Sequence, residues 1–459
     1  MMRRKSLLIG SVLLILMLFS ISPAQQAATI TPEIVVSLKT VSHVEIDPSG
    51  KNIVYVLSIP RTPDDKPGGR YSEIWVVTRK GEQRRYTMSK INSWSPSWSP
   101  DGKKIAFLSA RGEDKKTQVY LIPVDGGAPE QVTDSKTSVS MYRWSGDGKY
   151  IAYTASDPKS EGEKKDEKEG RDWKVIDEKF KHRRLWAVEV ESGETHKITT
   201  TDISIWDFAW SPDGKKLVIA ASLTPRVDDS YMFKKLYLVD SEGGEPAPLC
   251  ETGGKLGMIR WSPDGKRIAF LAGVDSSDPS AGSIFVVSSE GGNPVNITGG
   301  FEATVTWIDW VNRRTLSFVA IEGTETILNY IPAAGGKISR ILRGGPVFTA
   351  VSFSGDKKSL AFSGSTPEHP SEVFFSKVKG KPVRLTRNNP QLEDISLASQ
   401  EVIRWKTSDG LEMEGILMKP LNYEPGKRYP LIVQIHGGPE AAYLNGWNTY
   451  YIRWTQLLA

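Results

Sequence analysis

Short apolar runs recur along the chain, each directly after the same kind of turn sequence. In the clearest case, residues 98–102 read Trp-Ser-Pro-Asp-Gly and residues 105–107 read Ile-Ala-Phe. Ser-Pro-Asp-Gly suits a type I turn, because Pro fixes φ at the second position and Gly takes the fourth. Ile and Phe share one face of the following strand and Ala lies on the other, so both faces are apolar. The pattern predicts two strands joined by a tight turn and covered on both sides.

This unit occurs seven times. Close copies begin at Trp98, Trp144, Trp210 and Trp261, and weaker copies begin at Asp47, Trp310 and Phe353. Each copy continues into a second apolar run and a short polar strand, as in residues 118–122 and 131–133. Four strands in each repeat of about fifty residues are typical of a β-propeller. The sequence therefore predicts an all-β fold, a seven-bladed β-propeller with TolB- or WD40-like repeats, over residues 42–396. A β-sandwich with coincidental Asp-Gly hairpins is the alternative, and seven in-phase copies argue against it.

The first residues have the pattern of an export signal. Residues 1–5 are basic, residues 6–21 are almost wholly apolar, and Ser22-Pro23-Ala24 offers small residues before polar glutamines. The apolar run is short for a membrane span, so we expect a signal peptide over 1–24 that is cleaved. An uncleaved anchor is the alternative. The mature protein is expected to be exported, periplasmic or secreted, and no later stretch predicts a membrane span. Residues 25–41 form a separate N-terminal segment, in which Thr31 and Pro32 predict the start of a short helix.

Charge and cysteine content exclude several classes of function. The formal net charge is +5, and Arg3, Arg4 and Lys5 carry three of those charges. The nearly balanced remainder argues against a nucleic-acid partner. The single cysteine, Cys250, leaves no intramolecular disulfide and no zinc site of clustered cysteines, and we expect it to be a small buried apolar residue.

One interval between repeats is long. Residues 156–184 contain a run of mixed charge at 161–169, which predicts a solvated loop protruding from a blade. A surface insertion is the favoured interpretation, and a flap beside a central cavity is the alternative.

The pattern changes near residue 400. Residues 402–405 and 411–419 predict a hairpin of a different kind, and residues 431–435 form a continuous apolar run, as in a buried parallel strand. The run ends in His436-Gly437-Gly438-Pro439, where the glycines allow a sharp turn with exposed N–H groups.

These features together resemble the prolyl oligopeptidase (S9) family of serine peptidases, in particular its acylaminoacyl-peptidase and bacterial dipeptidyl-peptidase branch. The resemblance covers residues 30–459 and depends on the repeats, the hairpin and the His-Gly-Gly-Pro turn. It implies an N-terminal propeller followed at 397–459 by the beginning of an α/β-hydrolase domain, with residues 454–459 matching that domain's first helix. It also implies that Gly437 and Gly438 form part of the oxyanion hole, with the Gly438 N–H as donor. His436 belongs to the turn and is not the family's catalytic histidine.

The sequence departs from the family in one respect. The nucleophile of the family lies in Gly-x-Ser-x-Gly, and no serine of this sequence has glycine at both flanking positions. We therefore assign no catalytic triad and expect an incomplete, inactive hydrolase domain. The implied activity is hydrolysis of short peptides without metal or cofactor, with the propeller restricting access. A non-catalytic secreted propeller that binds a peptide, glycan or protein is the alternative. Substrate preference and oligomeric state are left open.

Overall fold

Seven four-stranded antiparallel sheets make up most of the chain. The computed structural model describes residues 28–171, 173, 175, 177–438 and 440–459. Each sheet is built from four strands that are consecutive in sequence. The predicted seven-bladed β-propeller is therefore confirmed. The predicted signal peptide lies outside the described residues.

A short segment precedes the first blade. It contains strand β1 (Ala28–Thr29) and helix α1 (Pro32–Ser37). The Thr31 hydroxyl caps the helix by accepting a hydrogen bond from the Ile34 N–H at 3.4 Å, and Pro32 fits the first turn, where no backbone donor is needed. The predicted helix is thus confirmed.

The first three blades are regular meanders of four strands. Blade 1 contains β2 (Thr40–Ile46), β3 (Asn52–Ile59), β4 (Tyr71–Thr78) and β5 (Gln83–Arg85). Blade 2 contains β6 (Ser93–Trp98), β7 (Lys104–Ser109), β8 (Gln118–Pro123) and β9 (Glu130–Gln131). Blade 3 contains β10 (Val139–Trp144), β11 (Tyr150–Ser156), helix α2 (Glu161–Lys168), β12 (Arg183–Glu189) and β13 (Thr195–Lys197).

The other four blades repeat this order. Blade 4 contains β14 (Ser204–Trp210), β15 (Lys216–Ser222), helix α3 (Val227–Tyr231), β16 (Lys235–Asp240) and β17 (Ala247–Cys250). Blade 5 contains β18 (Leu256–Trp261), β19 (Arg267–Ala272), β20 (Ser283–Ser288) and β21 (Val295–Asn296). Blade 6 contains β22 (Thr304–Asn312), β23 (Thr315–Glu322), β24 (Glu325–Pro332) and β25 (Ser339–Leu342). Blade 7 contains β26 (Ser352–Phe353), β27 (Ser359–Thr366), β28 (His369–Lys377) and β29 (Val383–Arg384).

The chain after the blades has little regular structure. Its elements are a 3-10 helix (Pro390–Asp394), β30 (Ile395–Ser396), β31 (Gln400–Lys406), β32 (Glu412–Met418), β33 (Thr449–Tyr450), β34 (Arg453–Trp454) and α4 (Thr455–Leu458). Strands β31 and β32 form the predicted hairpin, and β30 pairs in parallel with β1.

The second strand of each blade is buried on both faces, as the apolar pattern predicts. In β7, Ile105, Ala106 and Phe107 are fully buried. Ile105 and Phe107 pack in a cluster shared with blade 1, whereas Ala106 packs in a cluster shared with blade 3. Each sheet is therefore stabilised by both of its neighbours.

The turn between the first two strands has the predicted type I form. The Ser99 carbonyl accepts a hydrogen bond from the Gly102 N–H at 2.8 Å, and Gly102 has a φ of 71°. The Ser99 hydroxyl donates to the Asp101 carboxylate at 2.6 Å and accepts from the Lys104 N–H at 2.9 Å. In blade 7 the left-handed position is held by Lys357, with a φ of 57°.

The tryptophan of the repeat links adjacent blades. Four indole N–H groups donate to a backbone carbonyl on the first strand of the preceding blade; they run from Trp98 to Glu45, Trp210 to Arg143, Trp261 to Ala209, and Trp310 to Arg260, at 3.0 to 3.2 Å. The indole therefore satisfies a buried carbonyl and packs against the neighbouring sheet at the same time.

The ring closes where blade 7 meets blade 1. Among the described residues, no strand from one end of the ring joins the four-stranded sheet at the other end, so closure depends on packing, on hydrogen bonds and on the β1–β30 pairing. The Asn389 side chain accepts from the Lys39 N–H and donates to the Lys39 carbonyl, both at 2.8 Å. The Ser363 hydroxyl donates to the Val41 carbonyl at 2.8 Å, and Gly355 N–H donates to the Pro48 carbonyl at 3.0 Å.

Loss of the contact between Asn389 and Lys39 is expected to destabilise the closed ring. We expect Asn389→Ala to lower the free energy of unfolding by about 2 kcal/mol, because two partly buried backbone groups of Lys39 lose their partners. Urea unfolding followed by tryptophan fluorescence measures the change. Asn422→Ala, at an exposed position, is the control. Equal stability of both variants would show that the ring closes without this contact.

Candidate functional site

One face of the propeller carries the residues that follow the blades. In an up-and-down meander, the second-to-third strand connections and the connections between blades lie at the same end of the sheets. On this face the Thr324 N–H donates to the Glu414 carboxylate at 2.9 Å, and the Asn445 N–H donates to the Thr324 carbonyl at 2.8 Å. The Trp447 N–H donates to the Ser365 hydroxyl at 3.3 Å. We call this end of the propeller the docking face.

The predicted buried strand at 431–435 is wrong for this structure. These residues form no strand, and Leu431 and Ile435 are 78% and 83% exposed. No other strand of the described residues lies beside them, and a strand without a hydrogen-bonding neighbour is not stable in water. The apolar run therefore lies extended on the surface.

Gly437 and Gly438, the predicted oxyanion-hole residues, follow this exposed run. Gly438 has a φ of 145°, which favours glycine, and a Cβ there would lie 2.8 Å from the Ala441 backbone nitrogen. Among the described residues, no acceptor bonds to the N–H of either glycine. Both groups are thus available to a ligand. Pro439 lies outside the described residues.

The chain beyond the turn is held against blades 4 and 5. The Glu440 carboxylate forms an ion pair with Lys255 and accepts a hydrogen bond from the Tyr231 hydroxyl at 3.3 Å. Tyr231 ends helix α3, in the second-to-third strand connection of blade 4, and Lys255 directly precedes β18. The glycine turn is therefore anchored to the docking face by one carboxylate. No local sequence pattern indicates this contact, because Lys255 and Glu440 are almost two hundred residues apart in the chain.

The long insertion lies on the same face, since it connects β11 to β12. The predicted solvated loop is wrong for Glu161–Lys168, which forms helix α2. The Ser160 hydroxyl accepts from the Glu163 N–H, and the Glu163 carboxylate accepts from the Ser160 N–H at 2.7 Å, so a capping box starts the helix. Lys164 pairs with Glu161 at 2.7 Å. The helix is fully solvated, as the charge run predicts.

Charged side chains line the axis of the propeller, and the sequence pattern did not reveal them. The first strands of neighbouring blades contact one another around this axis and enclose a central channel. Arg143 on β10 pairs with Asp207 on β14 at 2.6 Å, and Lys357 pairs with Asp309 on β22 at 2.7 Å. One sequence feature could have indicated these axis residues: a charged residue directly precedes the repeated tryptophan, at Arg143, Arg260 and Asp309.

Glu45 occupies the matching position in blade 1. Its carboxylate accepts from the Trp98 N–H at 2.9 Å and from the Ser97 hydroxyl at 3.3 Å, so it bridges blades 1 and 2. Burial raises the pKa of Glu45 to about 7, and the two hydrogen bonds only partly offset this effect. Burial, together with the charge of Glu45, also raises the pKa of Tyr142.

Other chemistry is sparse in the part of the chain that the structure describes. No group of three or more His, Cys, Asp or Glu side chains there could hold a metal ion, and no helix there has the length and apolar character to cross a membrane. Cys250 is partly buried at the end of β17, and burial raises the pKa of its thiol to about 11. A thiol with this pKa is a poor nucleophile at neutral pH.

Comparison with known proteins identifies relatives of this architecture. No family model matches the chain. The uncharacterized peptidase YuxL of Bacillus subtilis is 28% identical over 90% of this chain and 67% of its own length. Dipeptidyl-peptidase 5 of Porphyromonas gingivalis is 26% identical over 93% of this chain and 65% of its own length. The chain thus spans about two thirds of the length of these curated relatives.

The chain is thus similar to S9-type peptidases that carry a β-propeller.

A solved peptidase structure agrees in fold. An acylaminoacyl peptidase in complex with Z-Gly-Gly-Phe-chloromethyl ketone superimposes with a TM-score of 0.70, at 19% identity, over 92% of this chain and 64% of that chain. This similarity extends well beyond the seven blades. The similarity in fold therefore includes both the propeller and the segment on its docking face.

Because the pKa of the Glu45 carboxyl is raised, the stability of the protein is expected to depend on pH. Its folded-state pKa of about 7 lies above the unfolded value, so the folded protein binds this proton more tightly. The resulting stabilisation is complete below about pH 4 and is lost as the pH rises through about 7. We expect Glu45→Gln, which stays neutral, to exceed the wild type in free energy of unfolding by about 2 kcal/mol at pH 8 and to match it near pH 4.

Urea unfolding at several pH values tests this expectation. Tyr142 stays protonated from pH 4 to pH 8 because its pKa is raised, and His43, whose pKa is lowered by burial, is present in both proteins. Exposed Glu302→Gln is the control and should show no pH-dependent difference. A difference between Glu45→Gln and the wild type that stays constant from pH 4 to pH 8 would contradict the raised pKa.

Proposed function

We propose that this chain is the substrate-admitting propeller of an exported serine peptidase, joined at residues 397–459 to the first part of its α/β-hydrolase domain. The observation that carries the proposal is the turn at Gly437 and Gly438. Its two N–H groups have no acceptor among the described residues, and it is anchored to the propeller through Glu440. The curated relatives named above are peptidases, which supports the same conclusion.

The turn supplies hydrogen-bond donors where a peptide carbonyl would acquire negative charge. In acyl transfer, a serine attacks the scissile carbonyl and the resulting oxyanion is stabilised by preorganised N–H groups. Gly438 N–H is the proposed donor, and Gly437, without a side chain, lets the substrate backbone approach. This chemistry needs no metal or cofactor.

The propeller is proposed to select substrates by size. The docking face faces the glycine turn, and the channel is lined by side chains of the first strands, so only short or extended peptides would reach the turn. Helix α2 and its flanking residues lie on the same face and border this approach. Helix α2 itself contributes charged side chains and no buried residue.

Activity of this chain by itself gives a direct test. Because the sequence contains no Gly-x-Ser-x-Gly, we expect no hydrolysis of dipeptide and acyl-amino-acid p-nitroanilides above the buffer rate. The chain should nevertheless bind a fluorescein-labelled tetrapeptide and not a folded protein of about 15 kDa carrying the same label. Turnover that a fluorophosphonate abolishes would disprove the absence of a nucleophile. Equal binding of the tetrapeptide and the folded protein would disprove size selection.

Export is proposed from the N-terminal pattern of residues 1–24. Expression of the full sequence in a bacterial host should yield a periplasmic protein that begins near Gln25, because the cleavage site follows small residues. Fractionation and intact-mass measurement identify the mature start. A cytoplasmic protein that retains Met1 would contradict the proposal.

A further inference from the structure

In blades 3 to 7, the channel carries one more cation than the aspartates of these blades can pair. Around the axis, blades 3 to 7 contribute Arg143, Asp207, Arg260, Asp309 and Lys357 in that order. Each aspartate is already paired with another cation, Asp207 with Arg143 and Asp309 with Lys357. Among the described residues, no carboxylate lies within 4.0 Å of the Arg260 guanidinium, so it has no ion-pair partner. The charges of Asp207 and Asp309 only partly offset the lowering of its pKa.

The hydrogen-bonding capacity of Arg260 is largely free. Its Nη1 donates to the carbonyl of the adjacent Ile259 at 2.8 Å, and the described residues offer its other N–H groups no acceptor. A guanidinium has five such donors in a fixed plane. The carbonyl of Arg260 accepts the Trp310 indole N–H at 3.2 Å, which fixes the backbone from which the side chain extends.

The surroundings of Arg260 favour an anion. Its side chain is partly buried, and burial together with the charge of Arg143 lowers the pKa of Arg260 to about 10. A cation that loses water without gaining a partner is destabilised, and a bound anion would remove this cost. Lys234, which precedes β16, adds a further positive charge near Asp207.

The planar shape of the Arg260 guanidinium indicates which kind of anion it would bind best. Guanidinium and carboxylate are both planar and form two parallel hydrogen bonds, which a lysine cannot do. The two aspartates beside Arg260 would repel a second anion that was not held by such directed bonds. A channel that admits peptides meets carboxylates at chain ends and on acidic side chains.

We propose that the Arg260 guanidinium binds the carboxylate of a peptide inside the propeller channel. The choice of a peptide as ligand rests on the proposed function. The choice of a carboxylate rests on the unbonded N–H groups of Arg260 and on the ion pairs that Asp207 and Asp309 already form with other cations. Arg260 is thus a substrate-binding residue. It selects among the peptides that the channel admits.

Binding of matched peptides tests the site without any need for catalysis. The probe is an N-terminally fluorescein-labelled Ala-Ala-Phe with a free carboxylate, compared by fluorescence anisotropy with its C-terminal amide. We expect the carboxylate form to bind about tenfold more tightly, as one charge-assisted bidentate contact provides. Arg260→Gln should abolish this preference, and Arg260→Lys should retain part of it.

The control is Arg314→Gln, in the exposed turn between β22 and β23, which should keep the wild-type preference. A third peptide, Ala-Ala-Asp amide, separates the two sources of carboxylate. If it binds as tightly as the free acid, the site accepts side chains as well as chain ends, and if it binds like the amide, the site is specific for chain ends. Both results support a carboxylate site.

Other results overturn the proposal. Equal affinity of the wild type for acid and amide peptides disproves the carboxylate site and leaves the proposed function standing. Absence of binding by all three peptides disproves both. Preference retained in Arg260→Gln assigns the carboxylate to another residue. Thermal unfolding of each variant checks the fold, and Arg260→Lys, which keeps the charge, decides the matter if the glutamine variant is unfolded.

Discussion

The architecture depends on one constraint, which is that every sheet must cover both of its faces with a neighbour. A four-stranded sheet with two apolar faces is stable only between two others, so the series of repeats has to return to its start. Ile105 and Phe107 pack toward one blade while Ala106 packs toward the next, and this alternation is repeated around the ring. The tryptophan of the repeat reinforces it by donating to the backbone of the preceding blade. Without closure at blades 1 and 7, one face of each terminal sheet would be exposed to water.

The same constraint explains where charged and functional side chains can lie in the propeller. The second strands are buried on both sides and leave no room for charge. The first strands border the axis, and there the repeat tolerates arginine or aspartate directly before the tryptophan, and glutamate at the matching position of blade 1. Arg143, Arg260 and Asp309 stand at this position. The docking face, formed by the longer connections, carries the insertion, helix α3 and the contacts to Glu414 and Glu440.

The fold was largely predictable from the sequence because its determinants are local. A turn of Ser-Pro-Asp-Gly and the two-sided apolar run after it specify a hairpin within ten residues, and seven copies specify the ring. Contacts between distant residues were not predictable in this way. The Trp98 indole bonds to Glu45, more than fifty residues earlier, and the Lys255–Glu440 pair joins residues far apart in the chain. The run at 431–435 was misjudged because apolar composition indicates a strand only when a neighbour is available. Helix α2 was missed because its stability comes from a capping box and side-chain pairs, while composition alone suggested a loop.

The hydrogen bonds between Asn389 and Lys39 have a mechanical consequence for the ring. Six of the seven blade junctions are crossed by the continuing polypeptide, and the junction of blades 7 and 1 is not. Force or heat that separates the two ends of the ring therefore acts first on the contacts at this junction and on the β1–β30 pairing, and leaves each four-stranded sheet intact. The ring can widen at this one junction without loss of strand pairing within any blade.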